Sequence, residues 1–181
     1  MLRLTIPKTE LWNDKSSEFF YVKEQTLTLE HSLVSLSKWE ANWNKPFLTK
    51  DKKTDEETID YIKCMTITQN VNPIVYALLR DEHIIKINNY IDAPMTATWF
   101  SSEDDRKTGN SEQVTSELIY YWMIALNIPF ECQKWHLNRL LTLVKVCNIK
   151  NQPKKKRTIK EIIDRNKAIN EARKKKYNSK G

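Results

Sequence analysis

Glycine is scarce in this chain, at two of its 181 residues. Phosphate-binding loops of the GxGxxG and Walker types need several closely spaced glycines, so both are excluded. Tight β-hairpins also prefer glycine in their turns, which disfavours a fold built from many strands. The scarcity of glycine therefore argues against nucleotide-binding folds of these two types and against all-β folds.

Long apolar runs and paired cysteines are missing as well. No stretch reaches the roughly 18 uninterrupted apolar residues that suggest a membrane-spanning helix, and the N-terminal segment has no apolar core of a secretory signal. Cys64, Cys132 and Cys147 are odd in number and lie far apart. We therefore expect no membrane span, no secretory signal, and buried thiols in a reducing cytoplasm rather than a disulfide framework.

Charge is distributed unevenly along the chain. Residues 150–181 include 13 Lys and Arg against 3 Asp and Glu, a net of +10, whereas the preceding 149 residues hold 17 against 20, a net of −3. An apolar fraction of 40% with six tryptophans suffices for one core. We predict a compact domain at residues 1–150 and a basic extension at residues 151–181, helical or disordered.

Strand patterns occur near the N-terminus. "LRLTIP" (Leu2–Pro7) alternates apolar and polar residues, and "EFFYVKEQTLTLEHS" (Glu18–Ser32) is rich in aromatic and β-branched residues. "MTATWF" (Met95–Phe100) fits a further short strand. The first two patterns predict a small N-terminal sheet.

Helical patterns dominate the rest of the chain. Residues 32–43 repeat apolar side chains at helical spacing, and Thr54 and Glu57 have the spacing of a capping box. Pro73 favours the start of two short helices that end before Pro94. The fold class predicted is α+β, mainly α-helical, with a small N-terminal β-sheet packed on a helical body and a basic C-terminal helical extension.

The segment "YYWMIALNIPFECQKWHLNRLL" (Tyr120–Leu141) concentrates aromatic, Cys and His residues. Its apolar runs are too short to cross a membrane. We predict a helix from Val114 to Asn127, a break at Pro129, and a second helix from Glu131 to about Ile149. The two helices would form an antiparallel hairpin with the aromatic side chains in the core.

Cys132 and His136 would share one face of that second helix, a spacing that can ligate a metal. Zinc needs four ligands, or three and a water, and the sequence offers no second close pair. No local pattern marks an activated thiol. The acidic triplets at residues 55–57 and 103–105 fit a solvated helix cap and a solvated loop. We therefore predict no catalytic residue, no cofactor and no metal site.

The basic extension has two clusters that bracket a predicted helix, which Thr158 and Glu161 would cap. Such clusters can bind an acidic protein surface, neutralise nucleic-acid phosphates, or keep the chain soluble. Apart from Tyr177 no aromatic residue is interleaved, so stacking on bases is unsupported. The residues predicted to bind a partner are Lys154, Lys155, Lys156, Arg157, Arg173, Lys174, Lys175 and Lys176.

Four stretches carry a resemblance to a known group of proteins. They are "LTIP" (Leu4–Pro7), "LTLEHSLVSLSKWE" (Leu27–Glu40), "ELIYYWMIALNIPFECQKWHLNRLLTLVKVCNIKN" (Glu117–Asn151) and "RNKAINEARKKKYNSKG" (Arg165–Gly181). In these stretches the chain resembles small proteins of the tail gene block of long-tailed bacteriophages and prophages, and hence tail assembly chaperones. The resemblance covers most of the chain.

The resemblance implies a non-enzymatic, largely helical protein that acts in the bacterial host cytoplasm. It implies binding to tail proteins, either tape-measure or tail-tube subunits, and leaves self-association open. The alternative is a structural virion component of the tail or neck, a connector or completion protein, whose basic tail contacts neighbouring subunits or DNA. The resemblance assigns no binding residue individually.

Overall fold

The computed structural model describes residues 1–14, 17–100, 113–151 and 159–177. Contacts between residues divide the chain into two units, Met1–Asn148 and Ile149–Gly181. The first unit has β-strands at its N-terminus followed by helices, which confirms the predicted α+β, mainly α-helical class.

Two antiparallel pairs of strands form the β part of the first unit. β1 (Leu2–Ile6) pairs with β4 (Gln25–Leu29), and β2 (Thr9–Asn13) pairs with β3 (Glu18–Val22). The predicted N-terminal sheet is therefore present as two separate two-stranded ladders. Pro7 separates β1 from β2, in keeping with its inability to donate to a ladder.

The inner face of the β1–β4 ladder supplies part of the core. Leu4 and Ile6 on β1 are buried, as are Leu27 and Leu29 on β4, and Leu4 lies opposite Leu27. Apolar residues alternate with polar ones along both strands, and burial of their side chains alternates in the same way. On the other side of β4, the Ile67 amide donates to the Thr28 carbonyl at 2.8 Å, which fixes the chain that follows the second helix against this strand.

The first two helices begin at capping boxes. α1 (Leu33–Trp43) follows Ser32 and α2 (Asp55–Met65) follows Thr54, whose side chain accepts from the Glu57 amide at 3.2 Å. The Glu57 carboxylate accepts from the Thr54 amide at 2.8 Å, so the predicted box is confirmed. α1 ends at Asn44, which is left-handed at φ 51°, before Pro46 is reached.

Two short helices follow, as predicted: α3 (Ile74–Ala77) and α4 (Asp81–Asp92). The strand predicted at Met95–Phe100 is wrong, because this segment has no regular secondary structure. A strand is stabilised by the ladder it joins, and neither ladder includes this segment. Trp99 within it is 93% exposed.

The Tyr120–Leu141 region differs from its predicted form. α5 (Ser116–Ala125) is followed by a short 3₁₀ helix (Phe130–Lys134), and α6 (Leu137–Asn151) begins six residues later than Glu131. α5 packs chiefly on α1 and not closely on α6, so the predicted antiparallel hairpin of these two helices is wrong. Non-local packing on α1, which the local pattern does not reveal, decides the arrangement.

The aromatic core comes from other parts of the chain than predicted. Trp122 and Trp135 are only half-buried. The Trp39 ring is buried on α1, and its indole N–H donates to the Glu57 carbonyl at 2.8 Å. Phe47 contacts Trp39 edge-on, with ring centroids 5.0 Å apart. The buried aromatic residues are Trp39, Phe47, Tyr61, Tyr76 and Tyr90.

The described part of the second unit contains the helix α7 (Ile159–Tyr177). Side chains from residue 163 to residue 177 are exposed, including the apolar Ile163 and Ile169. Across the described ranges, no helix is long and apolar enough to span a membrane.

Truncating Trp39 to alanine should lower the free energy of unfolding by about 3–5 kcal/mol, because the change leaves a cavity and removes the indole donor. Truncating the exposed Trp99 is the matched control and should change it by less than about 0.5 kcal/mol. Urea titration followed by circular dichroism measures both. Equal effects of the two changes would contradict the assigned core.

Candidate functional site

The outer face of α5 is an apolar surface of the first unit that is not packed against the rest of it. Residues 118–126 are all apolar or aromatic, so beyond Glu117 in its first turn the helix has no charged residue to turn toward water. Ile119 and Met123 are fully buried beneath it. Tyr121 and Ile124, on the opposite side, are 63% and 62% exposed. We call these two residues and Phe130 (53% exposed) the α5 face.

A buried carboxylate holds the N-terminus of α5 in place. Glu40 on α1 accepts hydrogen bonds from the Ser116 amide at 2.7 Å and from the Phe47 amide at 2.8 Å. A negative charge is favourable at a helix N-terminus, where free amides and the helix dipole meet it. Thr115 caps the same turn through its hydroxyl, which accepts from the Leu118 amide. The start of α5 is therefore fixed to α1 by the hydrogen bond from the Ser116 amide to the Glu40 carboxylate.

The C-terminus of α5 is closed by a Schellman motif. Asn127 is left-handed at φ 52°, the Ile128 amide donates to the Met123 carbonyl at 2.8 Å, and the Asn127 amide donates to the Ile124 carbonyl. Asn127 therefore ends the helix before Pro129 is reached. The Tyr120 hydroxyl donates to Gln133 at 2.9 Å, which ties α5 to the 3₁₀ helix that presents Phe130.

Two buried histidines, His31 and His136, lie side by side in the first unit. The rings of His31 and His136 are 5.1 Å apart and both are buried. His31 Nδ1 lies 2.5 Å from the hydroxyl of Tyr61, and the Leu137 amide donates to the His31 carbonyl at 2.7 Å. Burial lowers the pKa of His31 to about 3, and the nearby His136 adds to the shift. Burial also raises the pKa of Tyr61, so its hydroxyl stays protonated and shares a hydrogen bond with Nδ1 of a neutral His31.

His136 has a partner on each ring nitrogen. Its Nε2 lies 2.9 Å from the Tyr90 carbonyl, which can only accept, and its Nδ1 accepts from the Asn138 amide at 3.3 Å. The hydrogen is therefore on Nε2. The Tyr90 hydroxyl in turn donates to the buried Glu30 carboxylate at 2.6 Å. His136 thus caps the start of α6 and links it to α4, and its nitrogens are occupied by protein groups.

Cys132 and His136 do not share a helical face as predicted. Cys132 lies in the 3₁₀ helix and His136 pairs with Ser32 just before α6, because the helix starts later than the pattern suggested. Burial raises the pKa of the Cys132 thiol and raises that of Cys64 to about 11. Raised thiol pKa values disfavour the thiolate that nucleophilic attack and metal binding require. Within the described ranges no group of three or more His, Cys, Asp or Glu could hold a metal ion.

The first acidic triplet is more than a solvated cap. Glu57 is buried, and its carboxylate receives Lys45 at 2.7 Å as well as the Thr54 amide. The hydrogen bond from Lys45 is the main reason that the pKa of Glu57 is lowered. Asp55 and Glu56 are exposed, as expected for a helix cap. The triplet at residues 103–105 lies outside the described residues.

The predicted partner-binding residues divide between described and undescribed parts of the chain. Lys154, Lys155, Lys156 and Arg157 lie outside the described residues. Arg173, Lys174, Lys175 and Lys176 are exposed in the last turns of α7. Cations near a helix C-terminus are favoured by its dipole, so these four stabilise the helix end as well as concentrating positive charge.

Sequence reasoning missed the α5 face, although one signal for it was present. A helix that is apolar on all sides must be buried on all sides or carry an apolar surface that another molecule covers. The anchoring role of Glu40 had no local signal, since its partner Ser116 lies 76 residues away.

Searches against protein-family models, curated proteins and solved structures find no match to this chain. The candidate site is therefore assigned from its own geometry.

Stability should fall as the pH drops from about 6.5 to 3. His31 has a pKa near 3 in the folded protein and about 6.5 when unfolded. In this interval the unfolded chain binds a proton that the folded chain does not, so acid favours unfolding by up to about 1.4 kcal/mol per pH unit. His31→Gln should flatten the dependence between pH 6.5 and 5 in urea titrations.

Tyr61→Phe is the matched control for that measurement. It removes the hydroxyl partner of His31 but leaves a buried histidine, so it should lower stability while keeping most of the slope. An unchanged slope in His31→Gln would show that His31 is not the group responsible.

Proposed function

We propose that this protein is a non-enzymatic bacteriophage tail assembly protein, a chaperone that binds tape-measure or tail subunits through the α5 face. The observation that carries the proposal is the exposure of Tyr121 and Ile124 on a helix whose residues 118–126 are all apolar or aromatic. The resemblance of four stretches of the sequence to tail-gene-block proteins supplies the biological setting, the host cytoplasm during assembly.

The α5 face suits an apolar protein partner. Covering a large apolar side chain stabilises a complex by about 1.5–3 kcal/mol, and aromatic residues are frequent energetic centres of interfaces. Tape-measure proteins are long and apolar, so a chaperone for them needs an exposed apolar surface. Glu40 and the Schellman motif at Asn127 hold α5 at both ends, which reduces the ordering cost when a partner binds.

The charged residues near the C-terminus of α7 provide a second element of the proposal. Arg173 and Lys174 to Lys176 are exposed and would attract acidic protein surfaces at long range, which mainly raises association rates. Binding of nucleic acid through the same residues is the competing possibility. It would weaken steeply with salt, because phosphate neutralisation releases counterions.

The second candidate is a structural component of the tail or neck. The same surfaces would then be permanently covered by neighbouring subunits, and the basic residues of α7 would contact those subunits or DNA. Permanent interfaces are more apolar than transient ones. The α5 face has only three large exposed apolar residues with a charged side chain, Glu117, one turn away, which favours the transient role of a chaperone.

Replacing Tyr121 and Ile124 together with serine should abolish capture of co-expressed tape-measure protein while leaving the fold intact. Both side chains are exposed, so the cost in stability should be small, within about 1 kcal/mol. Quantitative co-purification from the same host measures capture. Ile85→Ser is the matched control, because Ile85 is 59% exposed on α4 and should leave capture unchanged. Undiminished capture by the double variant would refute the assigned surface.

A mass-spectrometric inventory of purified virions separates the two candidate functions. A chaperone leaves after assembly, so the protein should be abundant in infected cells and absent from virions. Its presence in virions in fixed copy number would overturn the chaperone proposal in favour of the structural one.

A further inference from the structure

An open cleft lies between α2 and the segment 73–79, which includes α3. Its volume is about 650 Å³, within the range of roughly 300–1,000 Å³ typical of ligand sites. Trp43, Ile59 and Leu79 line it and are half-buried. None of its lining residues belongs to α5, so the cleft is a surface separate from the α5 face.

The walls of the cleft are held by side-chain hydrogen bonds. The Trp43 indole N–H donates to Asp60 Oδ2 at 3.0 Å, and Asn42 donates to the same oxygen at 3.1 Å. On the opposite wall the buried Tyr76 hydroxyl donates to the Thr66 hydroxyl at 3.1 Å. The cleft is therefore formed before any partner binds, which lowers the cost of binding.

Negative charge surrounds this apolar surface. Asp55, Glu56 and Asp60 line the cleft together with a single cation, Lys63. In the part of the chain that the structure describes, none of the three carboxylates is within ion-pair distance of a lysine or arginine. The Lys63 ammonium lies 5.9 Å from the centre of the Tyr76 ring. An occupant would meet apolar side chains next to carboxylates without ionic partners.

We propose that this cleft binds a segment of a partner protein that presents apolar side chains beside lysine or arginine. The apolar lining supplies affinity, and the carboxylates select a basic segment over an acidic one, since like charges across an interface are strongly unfavourable. An amphipathic helix laid in a groove is the binding mode that combines these two features. The inference does not depend on the α5 face or on a role in tail assembly.

The test uses two synthetic helical peptides with the same leucine pattern, one with lysines and one with glutamates on the flanking positions. Fluorescence anisotropy of labelled peptide measures binding to the full chain. The lysine peptide should bind, increasingly weakly as salt rises, and the glutamate peptide should not. Ala77→Trp, which places a large side chain into the cleft from an exposed position, should abolish binding.

Asp55→Asn with Glu56→Gln should weaken binding of the lysine peptide about tenfold. The matched control is Asp81→Asn with Glu82→Gln, which removes two exposed acids from the first turn of α4 and should leave binding unchanged. The two double variants lose the same charge at equivalent helix positions, so any difference between them reports the cleft.

Three results would overturn the inference. They are failure of the lysine peptide to bind, equal binding of both peptides, and binding that survives Ala77→Trp. Concentration-dependent sedimentation that Ala77→Trp abolishes, without peptide binding, would identify a second copy of the chain as the occupant instead. Capture of tape-measure protein relies on Tyr121 and Ile124, so failure here would leave the proposed function standing.

Discussion

The arrangement of the helical body depends on the carboxylate of Glu40. It lies on α1, and its two oxygens bind the amide of Phe47 and the amide of Ser116, 7 and 76 residues further along the chain. A buried carboxylate is costly unless its lone pairs are used. The two amides would also be costly if buried without acceptors. The carboxylate and the two amides satisfy one another's hydrogen-bonding needs. This requirement restricts where α5 can pack on α1.

A second group of polar contacts also joins several elements of the body. Glu30, His31 and Ser32 follow β4 directly, and their side chains and carbonyls bind groups from α1, α2, α4 and the start of α6. Every buried side-chain nitrogen and oxygen in the described ranges has a hydrogen-bond partner. Such networks restrict packing geometry more strongly than apolar contacts, which tolerate many arrangements. The imidazole groups of His31 and His136 hydrogen-bond to other protein groups in this network and serve a structural role.

Local signals carried the sequence predictions that succeeded. The Thr54–Glu57 capping box involves four consecutive residues, and burial on β1 and β4 follows a period of two, so neither requires knowledge of distant contacts. The errors arose where distant contacts decide. An antiparallel hairpin of α5 with α6 was predicted, yet α5 packs chiefly on α1, which is distant in sequence. Cys132 and His136 were placed on one helix, yet the pairing of His136 with Ser32 delays the start of α6.

The two candidate sites also differ in whether local sequence or distant contacts determine them. The composition of residues 118–126 could have predicted an apolar surface on α5, because a run of apolar and aromatic residues longer than two helical turns places apolar side chains on every side of the helix. Which side of α5 stays exposed depends on how Glu40 positions the helix on α1. The sequence of α5 alone does not indicate this. The cleft had no signal at all, since Trp43, Asp60 and Tyr76 meet only when α2 and α3 are placed.

The two surfaces differ in the energy they offer a partner, and this difference argues for separate roles. Tyr121 and Ile124 are largely exposed in the free protein. Burying each of them against a partner would stabilise the complex by up to about 1.5–3 kcal/mol. That energy is available to any apolar partner, which suits binding of a long and variable apolar chain. The cleft adds carboxylates without ionic partners to its apolar lining, so it favours a partner with matching positive charge. A surface of the first kind tolerates sequence change in its ligand, whereas one of the second kind selects among ligands.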